Sequence, residues 1–94
     1  MIEFEWDNHK NQENRKKHGV WFEEEQQVFD DTNAIMFFDQ DHSKSEDRFI
    51  LLGLSASVRV LVVVYCERHK GKIVRIISAR KATKKEMNRY EKGV

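Results

Sequence analysis

Segment 58–67 constrains the fold more than any other part of this 94-residue chain. It reads VRVLVVVYCE, so it is rich in β-branched residues and is apolar at odd and even positions alike. A strand with two apolar faces has to be covered on both sides, which predicts a central place in a sheet with other elements packed against it. A chain of this length supports one domain with one core, which we expect to span residues 1–94.

Alternation of apolar and polar residues predicts the elements around this strand. In chain order we expect a strand at 2–6, helices at 8–18 and 22–28, strands at 34–38, 48–54, 58–67 and 73–80, and a helix that begins after Thr83. Consecutive strands joined by short turns predict an antiparallel sheet. The expected fold is therefore an α+β domain of order β-α-α-β-β-β-β-α, with the helices packed on the sheet.

Two of these helices are predicted from their ends. Segment 8–18 has no apolar residue, but Asp7 can cap it, cations fill its last turn, and Gly19 can end it. Thr83 and Glu86 have the spacing of a capping box at the start of the last helix. The helix at 22–28 is expected to turn an apolar side inward and to leave residues 23–27 in water.

Strict alternation also assigns side chains to the two faces of the strands. In the first strand, the residues expected to point inward are Ile2, Phe4 and Trp6. In the strand at 73–80, the residues expected on one face are Val74, Ile76, Ser78 and Arg80. Arg75 is expected on the other face.

The formal net charge of +1 conceals a strong asymmetry along the chain. Residues 1–47 carry five Lys and Arg against thirteen Asp and Glu, a balance of −8. Residues 48–94 carry twelve against three, a balance of +9. Such a split indicates either that one face meets an anionic partner or that acidic and basic elements pack together and cancel. The sequence leaves both interpretations open.

Several classes of protein lack support in the sequence. The single cysteine, Cys66, excludes an internal disulfide framework and a multi-cysteine zinc site, and its apolar surroundings favour a buried thiol. The four histidines have no metal-ligand spacing, and GxSxG, GxGxxG and P-loop motifs do not occur. Neither a signal peptide nor an apolar span of about 20 residues is seen. We expect a cytoplasmic protein with no metal, cofactor or membrane association.

Basic residues near the last helix could bind phosphate. Arg80 begins the run Arg80-Lys81-x-x-Lys84-Lys85, which leads into the N-terminus of that helix. A fixed guanidinium, ammonium groups and free helix amides would hold a phosphate and stabilise charge on a phosphorane. Such a site suits RNA cleavage, in which the 2′-hydroxyl is itself the nucleophile. Lys81, Lys84 and Lys85 are therefore candidate RNA-binding residues.

The remaining arginines lie in or at the ends of predicted strands. Arg68 and Arg80 end the two arms of one hairpin, so they should lie at its opposite ends, and Arg48 could neighbour either of them. Arg59 and Arg75 lie within apolar strands, where an unpaired guanidinium is costly. For these two, pairing with acidic residues of the first half is the favoured interpretation.

Proton transfer has several candidate groups. His18 and Tyr90 could exchange protons with a substrate, and Glu46 or Glu86 could act as a base. Structural roles compete with each: His18 can complement a helix dipole, Tyr90 can pack between helix and sheet, and Glu86 can complete the capping box. The other histidines are interpreted as surface or hairpin residues: His9, His42 and His69.

The sequence resembles the BrnT family of toxins, which is related to RelE-like ribonucleases, over nearly its whole length. The matching residues occur in order and are Phe4-Glu5-Trp6-Asp7, Asn14, Lys17-His18-Gly19-Val20, Phe22-Glu23-Glu24, Val28-Phe29-Asp30, Glu46, Arg48, Gly53, Val62-Val63-Val64-Tyr65, Arg68, Ile76-Ile77-Ser78-Ala79-Arg80-Lys81-Ala82-Thr83, Glu86 and Tyr90. The segments KHGV and ISARKAT are quite specific. Trp21 and Glu25 depart from the small polar residue and the alanine common in the family.

The resemblance implies a RelE-like fold and a metal-independent endoribonuclease, the toxin of a type II toxin–antitoxin system, which inhibits translation by cutting RNA. It implies a BrnA-like antitoxin with a ribbon-helix-helix domain, in a hetero-oligomer for which 2:2 is one option, and promoter DNA bound only through the antitoxin. The site residues carried over are Arg48, Arg68 and Arg80, followed by His18, Glu46 and Tyr90. The alternative is a non-enzymatic nucleic-acid-binding or protein-interaction module of the same fold.

Overall fold

Five strands and three α-helices make up the structure, a computed structural model that describes residues 2–93. The elements are β1 (Glu3–Glu5), α1 (Asn8–His18), α2 (Phe22–Glu25), β2 (Ile35–Phe38), β3 (Arg48–Leu54), β4 (Val60–Arg68), β5 (Ile73–Lys81) and α3 (Lys84–Lys92). Two 3-10 helices, Gln26–Asp30 after α2 and Gln40–His42 after β2, are additions to the predicted order. The α+β class is as predicted.

The strands form one mixed sheet in the order β1-β5-β4-β3-β2. β2, β3, β4 and β5 pair antiparallel, as the short connections predict, and β4 is central. The expectation of a wholly antiparallel sheet is wrong for β1, which pairs in parallel with β5. β1 and β5 are separated by most of the chain, so no tight turn imposes opposite directions on them.

The main core lies between one face of the sheet and the segment that contains α2 and the following 3-10 helix. Phe22 and Val28 are fully buried there, as predicted, and they belong to one apolar cluster with Leu61, Val63 and Ile76 of β4 and β5. Of the first-strand residues predicted to face inward, Phe4 and Trp6 pack against this cluster. Ile2 does not, because β1 begins after it and leaves it 47% exposed.

Glu25 is a charged residue that the pattern wrongly predicts to be exposed. It was expected in water with its neighbours, but it is fully buried at the end of α2. Neither of its carboxylate oxygens has a hydrogen-bond partner among residues 2–93. Glu25 lies three residues after the buried Phe22 and three before the buried Val28, so its side chain shares their inner face. Burial raises the pKa of Glu25 to about 10.

The turn between β3 and β4 shortens the predicted central strand. β4 begins at Val60, not at Val58, which is 81% exposed and has a positive φ of 59°. Two backbone hydrogen bonds close the turn, from Ser55 N–H to the Arg59 carbonyl (3.0 Å) and from Val58 N–H to the Ser55 carbonyl (3.0 Å). The need to reverse the chain therefore overrides the β propensity of this valine.

A β-bulge in β5 changes which arginines share a face of the sheet. Ser78 pairs with Val64 and Ile76 pairs with Tyr65, so Ile77 lies between them without a partner in the register. One extra residue reverses the alternation beyond it. The prediction that Ser78 and Arg80 share a face with Val74 and Ile76 is therefore wrong. Ser78 and Arg80 lie on the same face as Arg75, and Val74 and Ile76 face the core.

Buried asparagines, in place of apolar side chains, hold the polar helix α1 to α2 and to the sheet. Asn11 Oδ1 accepts from Phe22 N–H (2.8 Å), and its Nδ2 donates to Glu23 (2.8 Å). Asn14 Nδ2 donates to the carbonyls of Val20 (2.8 Å) and Ala79 (2.9 Å). The Asp7 cap and the Gly19 end are as predicted. Within residues 2–93, no helix is long and apolar enough to cross a membrane.

Candidate functional site

Charged residues gather on the face of the sheet opposite the main core, at the end where β3 begins and β4 ends. Arg48 pairs in register with Cys66, and Cys66 pairs with Arg75 on its other side. Glu5 of β1 pairs with Arg75 and extends the row. Because side chains of directly paired residues point to the same face, Arg48 and Arg75 flank Cys66 on adjacent strands, each about 5 Å away between backbones.

Arg68 binds two carboxylates just beyond this row. Its guanidinium donates through Nε to Glu46 Oε2 (2.5 Å) and through Nη1 to Glu5 Oε1 (2.8 Å). Arg75 Nη1 also reaches Glu5 Oε1, at 3.5 Å. We call Arg48, Arg68, Arg75, Glu5 and Glu46 the strand-end cluster. Its members come from the ends of four strands and the loop before β3.

Ion pairing sets the protonation states in the strand-end cluster. The hydrogen bond from Arg68 holds the pKa of Glu46 below its usual range, and the same bond raises the pKa of Arg68. Arg48 has another partner, Asp39, with 3.4 Å between Nε and Oδ2. The cluster therefore presents guanidinium groups whose counter-charges are nearby carboxylates.

Arg80 belongs to a second group of charges at the start of α3, on the same face but further along the sheet. It pairs in register with Val62, four residues before Cys66 on β4, which is a separation of about 13 Å. As predicted, Arg68 and Arg80 lie at opposite ends of the hairpin, since Arg68 pairs with Ile73. We call Arg80, Lys81, Lys84, Lys85 and Glu86 the helix-start cluster.

The capping box occupies part of the predicted phosphate site in the helix-start cluster. Glu86 accepts two hydrogen bonds from Arg80 (2.7 and 2.9 Å) and one from Thr83 N–H (2.8 Å). The Thr83 hydroxyl accepts from Glu86 N–H (3.2 Å). The Arg80 bond lowers the pKa of Glu86 to about 2. Two of the amides expected to be free at the helix start are therefore bonded, whereas the lysines at 81, 84 and 85 are exposed.

His18 and Tyr90 lie apart from the strand-end cluster. The Tyr90 hydroxyl donates to Asp31 Oδ2 (2.6 Å), which also accepts from the N–H of Leu54 at the far end of β3. The bond to Asp31 raises the pKa of Tyr90 to about 12. His18 is exposed at the last residue of α1, beside a shallow groove that includes Ser78.

The structure confirms the interpretation of Arg59 and Arg75 as paired arginines and of Cys66 as a buried thiol. Arg59 binds Glu24 through two nitrogens (2.7 and 2.5 Å), and Arg75 reaches Glu5, so both arginines pair with acids of the first half as predicted. Cys66 is buried, and burial raises the pKa of its thiol, which disfavours the thiolate. Within residues 2–93, no group of three or more His, Cys, Asp or Glu side chains is placed to hold a metal ion.

The resemblance to the family did not single out Arg75 and Glu5 as site residues. In the sequence, Arg75 was interpreted as a strand residue that pairs with an acidic residue. Glu5 was interpreted as a solvent-exposed residue of the first strand. Only the parallel pairing of β1 with β5, which no local pattern encodes, brings Glu5 next to Arg75 and Arg68.

Comparisons with known proteins agree on one family. A sequence model described as "Ribonuclease toxin, BrnT, of type II toxin-antitoxin system" matches residues 6–86. Among solved structures, the Brucella abortus ribonuclease toxin BrnT superposes with a TM-score of 0.67 at 22% identity, covering 89% of this chain and all of that one. At that identity the structural match shows a shared fold. No curated protein sequence matches the chain.

Proposed function

Because this chain belongs to the BrnT family of ribonuclease toxins of type II toxin–antitoxin systems, we propose that it is a metal-independent endoribonuclease acting at the strand-end cluster. It cuts RNA by attack of the 2′-hydroxyl on the adjacent phosphate and thereby inhibits translation. A BrnA-like antitoxin with a ribbon-helix-helix domain neutralises it in a hetero-oligomer, and promoter DNA is bound only through that antitoxin.

The convergence of three arginines on one end of the sheet is the observation that supports this proposal. Arg48, Arg68 and Arg75 come from three adjacent strands, so the sheet holds their positions without further adjustment. Fixed guanidinium groups stabilise the charge that develops on a phosphorane, and they bind phosphate oxygens in pairs. A scissile phosphate would take the place of carboxylates that now bind Arg68.

The helix-start cluster is suited to binding RNA on either side of the cleaved bond. Its exposed lysines at positions 81, 84 and 85 would neutralise backbone phosphates without reading sequence. Arg80 lies on the same face as Arg75, so one strand of RNA could contact both clusters. In this arrangement Glu46 belongs to the catalytic site with Arg48 and Arg68, whereas Tyr90 acts by holding α3, and His18 contacts RNA from the side.

The proposal is tested by induced expression in a bacterial host that lacks the antitoxin. Wild-type protein should arrest growth and degrade RNA, and purified protein should cleave RNA in EDTA. Arg68→Ala should lower cleavage by about 100-fold, the size expected for loss of one group that stabilises transition-state charge. Arg59→Ala is the matched control, because Arg59 also binds a carboxylate and precedes the strand that Arg68 ends.

Three results would count against an endoribonuclease. They are unimpaired growth, intact RNA, and RNA binding that weakens with salt but is never followed by cleavage. The last of these would establish the alternative, a non-enzymatic nucleic-acid-binding module. Co-expression with a neighbouring ribbon-helix-helix gene should restore growth, and the mass of the purified complex gives its stoichiometry.

A further inference from the structure

His42 and Asp39 form a hydrogen-bonded pair next to the strand-end cluster. Nδ1 of His42 lies 3.0 Å from both Oδ1 and Oδ2 of Asp39. The Asp39 side chain is 14% exposed, whereas that of His42 is 63% exposed. Asp39 also faces Arg48, with 3.4 Å between Oδ2 and Nε. A largely buried carboxylate therefore joins an accessible imidazole to a guanidinium of the cluster.

Backbone contacts fix this pair relative to the sheet. Asp39 N–H donates to the Arg48 carbonyl (2.8 Å), which continues the pairing of β2 with β3 by one residue. The Ser43 hydroxyl donates to the Asp39 carbonyl (2.6 Å) and accepts from Arg48 N–H (2.9 Å). His42 lies in the 3-10 turn that these bonds close. Its imidazole is thus tied to the position of Arg48.

The chemistry of the pair suits a proton acceptor better than Glu46 does. A carboxylate that accepts from Nδ1–H selects the tautomer whose Nε2 lone pair is free, and it stabilises the imidazolium that forms. Glu46, by contrast, accepts hydrogen bonds from Arg68 at both oxygens, which lowers its pKa and weakens it as a base. Ser43, Glu46 and Arg68 line one surface groove, so the loop that carries His42 borders the cluster.

We propose that His42 is the general base of the cleavage reaction and that Asp39 is its positioning residue, an inference that rests on the proposed endoribonuclease function. Nε2 takes the proton of the 2′-hydroxyl as the O2′–P bond forms. The P–O5′ bond breaks, and O5′ takes a proton from water. The products are a 2′,3′-cyclic phosphate and a 5′-hydroxyl, and the imidazolium then releases its proton to solvent.

The test measures kcat/KM for cleavage of a short RNA between pH 5 and 9 with purified protein. His42→Gln should lower kcat/KM by 100-fold or more, the usual contribution of a general base, and should remove the acidic limb of the profile. Asp39→Asn should lower kcat/KM through kcat with little change in KM, because an amide holds the tautomer with a free Nε2 less firmly than a carboxylate does. Among the described residues, Asp39 contacts the imidazole directly and Arg48 contacts Asp39 in turn.

The matched control is His9→Gln, because His9 is another exposed histidine beside a carboxylate, with 3.8 Å to Glu13. Binding of a 2′-deoxy analogue, which cannot be cleaved, should be the same for wild type and His42→Gln within about threefold. Cleavage by His42→Gln at the wild-type rate, with the acidic limb intact, would overturn the role of His42 alone. Absence of cleavage by wild-type protein would overturn the proposed function, so the two failures are distinguishable.

Discussion

The side-chain amide of Asn14 pairs with both backbone groups of Ala79. Its Nδ2 donates to the Ala79 carbonyl (2.9 Å), and its Oδ1 accepts from Ala79 N–H (3.1 Å). β1 pairs with β5 over Ile73–Arg75, so Asn14 continues the pairing of that strand edge beyond the end of β1. The Asn14 side chain thus makes the two backbone hydrogen bonds that a neighbouring strand would otherwise supply.

Replacing Asn14 by leucine should destabilise the domain by about 3 kcal/mol. Leucine keeps the approximate size of the side chain but leaves buried backbone groups unpaired, and each unpaired group costs roughly 1–3 kcal/mol. The measurement is the free energy of unfolding in urea. Gln12→Ala, an exposed change on the same helix, should stay within about 0.5 kcal/mol of wild type. Equal stability of the two variants would show that the Asn14 bonds contribute little.

Glu25 should make the stability of the domain fall as the pH rises. Burial raises its pKa from about 4.5 in the unfolded chain to about 10 in the folded protein. A group with a raised folded pKa favours folding most below its unfolded pKa, and this advantage is lost as the pH rises towards the folded pKa. At pH 7 the cost of taking up a proton on folding is on the order of 3 kcal/mol.

The variant Glu25→Met isolates this effect. Methionine is similar in length, apolar and adaptable, so it should raise the free energy of unfolding at neutral pH. Its advantage over wild type should grow by up to about 1.4 kcal/mol per pH unit between pH 5 and 9. Thermal unfolding at several pH values gives the difference, with Glu91→Gln on exposed α3 as control. A difference that is constant with pH would mean that the Glu25 carboxylate is ionised when folded.

Glu86 links the stability of α3 to the charge available for RNA. Glu86→Ala removes the capping box and the partner of Arg80, and should cost about 1–2 kcal/mol. Glu86→Gln should cost less, because glutamine can still complete a capping box. Since the pKa of Glu86 is lowered to about 2, its ionic contribution is present above pH 4.5 and is lost as the pH falls towards 2.

The same two variants should bind RNA more tightly, because Arg80 then lacks its carboxylate partner. We expect the slope of log affinity against log salt concentration to steepen by about one, as for one additional phosphate contact. Filter binding or fluorescence anisotropy at several salt concentrations measures it. An unchanged slope in both variants would show that Arg80 does not contact RNA.

Gly53 allows a close approach between β3 and the 3-10 helix that follows α2. A Cβ atom at this position would lie 2.7 Å from Cγ1 of Val28 and 3.0 Å from Cβ of Ala34. Gly53→Ala should therefore destabilise the domain by about 1–3 kcal/mol through overpacking. In the double variant with Val28→Ala, the loss should be smaller than the sum of the two single losses, as measured in urea. Additive losses would contradict the clash.

Much of the fold could be predicted from local patterns. The central strand, the hairpin, the Asp7 cap and the capping box follow from residue type and spacing, and the structure contains each of them. Two of the errors depend on interactions that a local pattern does not encode. The place of β1 depends on a partner about 70 residues away, and the face of Arg80 depends on a bulge at Ile77.

Only some residues of the candidate site could be selected from the sequence, and Glu5 and Arg75 were not among them. Arg48, Glu46 and Arg68 were selected from the sequence, and the sheet brings them together. Arg80 and Tyr90 were grouped with them, yet their partners are Glu86 and Asp31. His42 was interpreted as a surface residue. The spacing of histidines can indicate a metal site, but it does not show that the side chain of Asp39, three residues earlier, bonds to the imidazole.

The unpaired Ile77 decides whether the basic half of the chain displays one positive surface or two. If Ile77 were paired in regular register instead of bulged, the alternation over the five residues from Arg75 to Arg80 would carry them to opposite sides of the sheet, and one of them would meet the apolar core. Regular pairing of every residue of β5 would therefore divide the basic surface without changing any charged residue, whereas deletion of Ile77 would keep both arginines on one face. The register of one strand, as much as its composition, determines which arginines can bind the same anionic ligand.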